Sequence, residues 1–596
     1  MTTLVLGFPP SVNGFILSID TQSSPRHTWP DKEQVLVLKI DVIKNCCEEA
    51  KFHILEMIFG TFNEKDKMKK LSATYMPSEA HGAAIPFMGR PPLAFPDDPY
   101  DYFELVKKGL PRTGKPRKVL IVGAGIAGLV AAFELLRAGH EPTVLEASQR
   151  VGGRIYTYRE PFSEGLYGEA GAMRIPKIHE VTLWYIKDLL GLKTRSFPNV
   201  NVEERGFYYL DGKLTPAWRV VDDPDFAANR ILRLWKKSFA PIVEKMQEGV
   251  EQGRPYEVWA SLMERYKDIS FREFLTKECS VPWSREDLRL FGIIGLGLGG
   301  YESMLQISFA EWMRIFYAGW DLDQQEVIGG LDQFPHRLIN LRPKGSEQTV
   351  ADRIRFGTVV TRIRHSETSV TVTYKSVAGE KQCTGDYVIL TVPFPLIDTL
   401  VTVEPPFSPA KYRAIRNTHY IASAKVFLQT RERFWEEEDL RGQVRAGTVI
   451  TDLPIRASYF PHDVFGAAKR GMIIASYTWE DDAVKWYSMD SQERVIAAAG
   501  MLGKIFPQVA EQCEVGASVA WHQEPFARGA FPLYYPGQIN FTKEVMKPEG
   551  RIYLAGDHAS YGHGWIEGAV RSGLRASLSI TEASLSKENV RRSLKR

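Results

Sequence analysis

Residues 118–147 read KVLIVGAGIAGLVAAFELLRAGHEPTVLEA. A short apolar run ends in a glycine cluster, apolar residues then recur at helical spacing up to Gly139, and a second apolar run closes on an acid. Strand, tight turn, helix, strand is the reading, a βαβ unit. Gly123, Gly125 and Gly128 form GxGxxG straight after the first strand, and Glu146 ends the second. Such glycines permit a tight turn and close approach of backbone to a ligand. The helix that starts at Gly125, Ile126 and Ala127 offers free amides and the positive end of its dipole to a diphosphate. Glu146, followed by Ala147, can accept both hydroxyls of a ribose. The stretch therefore predicts a dinucleotide site in a Rossmann-like α/β fold.

The next residues choose among dinucleotides. In ASQRVGGRIYT (147–157), Arg150, Gly152, Gly153 and Arg154 follow within a few residues of the ribose acid. Adjacent glycines admit backbone amides to anionic oxygens, and a guanidinium is a planar, permanently charged partner for a diphosphate, which favours FAD over NAD. A second glycine-rich run, FGIIGLGLGG (291–300), is a decoy. It has no downstream strand ending in an acid, and close packing or a substrate-facing bend is expected there.

Outward from this core, residues 1–115 read as an extension with an amphipathic helix near 42–59 and a Pro/Gly-rich loop, PFMGRPPLAFPDDP (86–99), without recognisable chemistry. Residues 212–320 have helical spacing, alternation from about Ile354 (VVTRIRHSETSVTVTYKS) predicts β-hairpins, and RIYLAGDHASYGHGWIEGAVRSGLRASLSI (551–580) reads as strand, loop, helix. The tail, 585–596, reads as a solvated basic end. At 596 residues two or three domains are expected. A charge of +3, from 75 Lys+Arg against 72 Asp+Glu, argues against nucleic acid or an acidic membrane as partner. Five scattered cysteines, without CxxC or Cys/His spacing, suggest neither a disulfide framework nor a metal site. The apolar N-terminus lacks an early basic cluster and is broken by Pro9 and Pro10, no apolar run is long enough to span a bilayer, and the Asn540 sequon then reads as accidental. A cytoplasmic protein is the expectation.

From about Arg117 to about Ser584 the sequence resembles the flavin-containing monoamine oxidase superfamily, and within it the L-amino acid oxidases. The resemblance implies a Rossmann-like FAD-binding domain (116–155, 339–416 and 545–584), interleaved with a mixed-sheet substrate domain (156–211, 321–338 and 417–544) and a helical domain (212–320). By the same resemblance Gly564, Trp565, Ile566 and Ala569 of GWIEGA lie against the flavin, as do Gly171, Ala172, Met173 and Arg174 of EAGAMRIP. Asp557 of AGDH binds the ribityl chain, although most relatives carry Glu there, and Val360 holds the adenine through its backbone. Arg174 pairs with the substrate carboxylate, the alternative being a structural pair with Glu169. Tyr477 of IIASYTWEDDA adds a hydrogen bond to that carboxylate; one residue more than in some relatives precedes it, so Ser476 stays open. Trp565 is an aromatic wall beside the amine, or a core residue.

Lys425 lies inside an otherwise apolar strand, HYIASAKVFLQTRERFW, where burial would depress its pKa. It matches the family lysine that holds a water near the flavin and assists the reaction with oxygen; the alternative is a snorkelling edge lysine. EPFARGAFPLYYPG (524–537) has no cysteine where some relatives link the flavin, so non-covalent FAD is expected.

The implied activity is oxidative deamination of a free L-amino acid to a 2-oxo acid, ammonia and hydrogen peroxide, with molecular oxygen as co-substrate and a homodimer as the assembly. Its rivals are an amino acid 2-monooxygenase that yields an amide, a monoamine or polyamine oxidase, and a non-enzymatic FAD-binding interaction protein.

Overall fold

The structure, a computed structural model, describes residues 2–4, 17–19, 95–98, 100–197, 206–217, 220, 223–296, 299–436, 447–461 and 469–585. The helix expected at 42–59 and the basic tail beyond Leu585 lie outside these residues. The chain divides into two units, 1–80 and 81–596. In the first, Thr2–Leu4 pairs antiparallel with Leu17–Ile19.

The second unit is mixed α/β with several sheets. A five-stranded parallel sheet has the order Ile354–Arg355, Glu141–Leu145, Lys118–Val122, Tyr387–Leu390, Ile552–Leu554. Both faces of such a sheet are covered, which is why its strands read as near-continuous apolar runs rather than alternating ones. Val119 and Ile121 pack with the helices Ile126–Ala138 and Ile566–Ser584. Leu120 and Val122 face the opposite way, against Val360, Ile363 and Val372 of the antiparallel hairpin predicted from 354 onward. Gly128 is where the first helix meets its strand: a Cβ there would lie 2.2 Å from the Gly123 carbonyl oxygen.

A seven-stranded sheet has the order Lys213–Pro216, Gly206–Leu210, Gly447–Thr451, Ala457–Phe460, Gly471–Trp479, Ser423–Thr430, Cys513–Ala520. Lys213–Pro216 is its edge strand, so the helical run expected from 212 begins instead at Ala227. In the helix Ala227–Glu251, Ile231, Trp235, Phe239, Ile242 and Met246 form one buried stripe, which joins Trp259, Phe271, Phe291 and Phe316 in an aromatic-rich core. The decoy glycines serve packing: a Cβ on Gly299 or Gly300 would touch Ile450 or Trp479 of the seven-stranded sheet.

Candidate active site

A cavity of about 330 Å³ opens at the carboxyl end of the Lys118–Val122 strand. The helix Ile126–Ala138 starts there with Gly125 as its N-cap and no side-chain cap, so its first amides are unclaimed. A Cβ built on Gly125 meets nothing within 4 Å, which leaves open space in front of those amides. The second glycine turn closes on the first: Gly125 bridges Gly152, and a Cβ on Gly153 would lie 3.2 Å from the Gly125 Cα. Glu146 stands across from them, its Oε2 accepting from the Ala124 amide at 2.6 Å and its Oε1 from the Ser148 amide at 2.8 Å and hydroxyl at 2.6 Å. These bonds fix the carboxylate's orientation and leave lone pairs toward the cavity. An uncapped helix end, glycine backbone and an oriented acid fit the diphosphate and ribose of FAD.

Seventeen of the expected cofactor and substrate residues line this cavity together: Gly123, Gly125, Ile126, Ala127, Glu146, Ala147, Arg154, Gly171, Ala172, Val360, Lys425, Tyr477, Asp557, Gly564, Trp565, Ile566 and Ala569. Gly128, Met173 and Arg174 do not. Gly128 is consumed by the helix–strand contact, Met173 is buried with its sulfur 3.4 Å from Lys425 Nζ, and Arg174 lies against Tyr477 and the Phe197 ring.

The arginines of the second turn both line the cavity and are also held by protein partners. Arg150 donates to the Gly153 carbonyl at 2.7 Å and lies over the Tyr156 ring. Arg154 forks onto Asp557, at 3.1 Å to Oδ2 and 2.5 Å to Oδ1, and also donates to the Ala530 carbonyl at 2.9 Å. A buried carboxylate needs a cation, and Arg154 is the one in reach. Burial would raise the Asp557 carboxyl, but Arg154 and His558 hold it well below the usual carboxylate range. Asp557 also accepts from the Gly564 amide at 3.3 Å, so this fork ties the glycine turn to the loop before the last helix.

Asp557→Asn is expected to lower stability by about 2–5 kcal/mol, because it leaves the Arg154 charge without its counter-ion. The folded pKa of Asp557 lies below its unfolded value. The pair's contribution is therefore complete above about pH 4 and is lost as pH falls through the folded value. Denaturant titrations of parent and variant at pH 7, and again in strong acid where the difference should shrink, check both statements.

At the other end of the cavity, Lys425 lies in the strand Ser423–Thr430, which is paired on both sides and buried throughout. It is no edge residue. Its Nζ donates to the carbonyls of Glu169 at 2.9 Å and Gly171 at 2.7 Å and sits 4.5 Å over the Tyr477 ring. Burial first, and the Arg174 charge second, push it down to about 7. Tyr477 faces Lys425 across the ladder, whereas the Ser476 hydroxyl donates to the Ile455 carbonyl at 3.2 Å. The extra residue is absorbed by a β-bulge: Val426 pairs with Ser476 but Phe427 with Ile474, leaving Ala475 unopposed. Only Tyr477 reaches the cavity.

Arg174 has its guanidinium 5.6 Å from the Phe197 ring, and its buried Nη1 has no hydrogen-bond partner. Burial raises the Tyr459 and Tyr477 hydroxyls, and the charge and hydrogen bonding of Arg174 work against that rise in both. The Glu169 pair considered from sequence is not made: Glu169 accepts from Thr157 and from the Leu331 amide, each at 2.7 Å. Asp321, a buried carboxyl that burial pushes up to about 7 and Arg174 pulls down, shares this neighbourhood. Sequence reasoning missed Asp321, Tyr459 and the cavity-lining Trp521. An acid following Trp320 or an aromatic in a strand carries no local sign of where it will converge. Trp565 lines the cavity with its ring edge-on to His179 and Trp320.

A dinucleotide cradle that runs into a chamber walled by Lys425, Tyr477 and Trp565, with Arg174 against Tyr477 and one of its buried nitrogens unpartnered, is the arrangement of an FAD-dependent oxidoreductase. The chain belongs to the flavin containing amine oxidoreductase family, whose model matches residues 126–581, and FAD is its cofactor. It is 33% identical over 509 residues to an L-amino-acid oxidase of Siganus canaliculatus, covering 83% of this chain and 91% of that one. It is 31% identical to an L-amino-acid oxidase of Protobothrops flavoviridis, over 81% of this chain and 92% of the relative. Its fold is also that of the cyclohexylamine oxidase from Brevibacterium oxydans IH-35A, with a TM-score of 0.60 and 21% identity over 78% of this chain and 99% of that one. The chain thus falls on the L-amino-acid oxidase branch of the family and is an oxidoreductase. Among the described residues no helix is long and apolar enough to cross a membrane, and no group of side chains could hold a metal ion.

Proposed function

We propose that this protein oxidises free L-amino acids to 2-oxo acids with release of ammonia and hydrogen peroxide. The observation that carries the reading is the orphaned Nη1 of Arg174, a buried donor on a side chain that lies against Tyr477 of the cofactor cavity. A buried guanidinium donor without a partner is costly, and a substrate carboxylate would complete it. Simple amines would leave it bare.

In this reading the five-stranded parallel sheet and its hairpins, from 116–155, 339–416 and 545–584, hold FAD. The seven-stranded sheet and the helices roof the substrate. FAD, when bound, supplies the redox chemistry, taking a hydride from the α-carbon and handing the electrons to dioxygen. Arg174 and Tyr477 clamp the carboxylate and so aim the α-hydrogen, a contribution of positioning more than of acid–base chemistry. Trp565 and Tyr477 wall the amine and exclude water. Lys425 holds a water or a proton where oxygen must react. Glu146, the Gly125 turn and Gly564 fix the cofactor, and Val360 serves the adenine.

Anaerobic mixing with glycine and with each of the nineteen chiral amino acids in both enantiomers tests the reading. L-enantiomers should bleach the flavin band and D-enantiomers should not; no bleaching by any amino acid would overturn it. Air-equilibrated turnover should then give peroxide and 2-oxo acid in equal amounts, whereas amide and carbon dioxide would mean a monooxygenase. A separate expectation concerns attachment. No cavity-lining residue is a cysteine, so acid or heat should release all the FAD into the supernatant, and yellow colour kept by the protein pellet would show a covalent bond.

A further inference from the structure

The segment Phe95–Asp98, which the sequence marks only as part of a proline-rich loop, is pinned into the second unit. Asp97 pairs with Arg314 at 2.6 Å, and that guanidinium is buried and shared with Glu311 at 3.2 Å. Arg571 donates to the Asp98 carbonyl at 2.9 Å and is sandwiched between the Phe95 ring at 4.0 Å and the Tyr102 ring at 4.6 Å. Phe95 also packs on Trp320, with centroids 5.1 Å apart, and on His179 at 5.8 Å. Those two rings are the ones that stand edge-on to Trp565, His179 at 5.2 Å and Trp320 at 6.3 Å. His179 is buried with its Nε2 unpartnered, and burial followed by the Arg571 charge keeps it neutral, so it serves here as an apolar spacer.

Phe95 reaches Trp565 by a second route as well. Arg571 belongs to the helix Ile566–Ser584, whose N-cap is Trp565 itself. Ring stack and helix therefore converge on one side chain from one residue. Phe95 meets His179 and Trp320 at a tilt of 37° and 39°, and those two rings meet Trp565 edge-to-face; such aromatic contacts fix ring orientation as well as contributing burial, so a column three rings deep sets where the outermost face stands.

We propose that Phe95 is a positioning residue for the amine site: through His179, Trp320 and Arg571 it fixes the tryptophan wall formed by Trp565. The inference rests on the reading of Trp565 as that wall. An aromatic face displaced by a fraction of an ångström misaligns the α-hydrogen, and such misplacement remote from the chemistry slows a reaction by roughly tenfold to a hundredfold. The reductive half-reaction alone should feel it, because the oxygen reaction is assigned to Lys425.

Rapid mixing of the full-length holoenzyme decides the matter, with L-leucine, or whichever of the twenty amino acids reduces the parent fastest. Phe95→Ala should slow flavin reduction roughly tenfold or more, leave reoxidation by dioxygen within about twofold, and keep parental FAD content. Phe95→Tyr should restore most of the loss. Reduction within about twofold of the parent, or parallel slowing of both half-reactions, overturns the proposal. Should Phe95→Ala fail to hold FAD, Phe95→Leu is judged by the same criteria. Trp565→Ala separates the two readings. If it leaves reduction unchanged the wall itself is wrong, and if it slows reduction while the Phe95 variants do not, only the inference falls.

Discussion

Arg174→Met and Arg174→Lys are expected to lower kcat/KM on amino acids severely while leaving FAD bound. Losing one partner of a buried charged hydrogen bond costs about 2–5 kcal/mol, which corresponds to roughly 30-fold to several thousand-fold. Lysine should rescue little, since a point charge lacks the planar fork that fixes a carboxylate in two places. Among the described residues the groups facing Arg174 are the Phe197 ring, the Tyr459 and Tyr477 hydroxyls and the buried Asp321, and neither substitution restores a planar fork to the substrate carboxylate. The informative quantity is the ratio of activity on an amino acid to activity on its decarboxylated amine, in parent and variant. A ratio that does not change would remove Arg174 from the clamp and revive an amine oxidase.

Lys425→Met should slow oxidation of the reduced flavin by roughly 10²-fold or more, with reduction much less affected. The residue also has a pH signature. With its pKa pushed down to about 7, Lys425 is protonated below that value and neutral above it. The parent's rate of reaction with oxygen should therefore decline as pH rises through about 7, and the variant should lack that limb. Methionine also leaves the Glu169 and Gly171 carbonyls without their donor, so some loss of stability is expected. Stopped-flow traces in which both half-reactions slow equally would reduce Lys425 to a structural role.

How much of this could be seen in the sequence follows from the range of each interaction. The cofactor turn was legible because Gly123 to Glu146 is one continuous unit whose spacing is set by local geometry. Lys425 was legible because a cation among apolar neighbours is anomalous within a single strand. The partner of Arg154 was not, since Asp557 lies 403 residues away, and the two meet only after the sheet has assembled. The choice between Tyr477 and Ser476 depended on a bulge at Ala475, and a bulge is a property of the paired strand as much as of its own residues. Gly128 looks the same as Gly125 in the motif, yet one is spent on packing and the other faces the cavity. Phe95 left no sign at all. Its meaning lies in His179, Trp320, Trp565 and Arg571, contributed by distant segments.

The order of strands in the parallel sheet has a consequence for biosynthesis. Lys118–Val122 is flanked by Tyr387–Leu390, and Ile552–Leu554 joins outside that, while Asp557, Gly564 and the helix packed on Ile126–Ala138 come later still. A ribosome that has delivered the whole glycine turn, through Arg154, has made only about a quarter of the 596-residue chain, and the strand edge and helix face left open meanwhile are apolar. Flavin capture must then be a terminal event, completed once the last segment has emerged and docked. Truncations near the C-terminus should accumulate as colourless, aggregation-prone chains rather than as weakened enzymes.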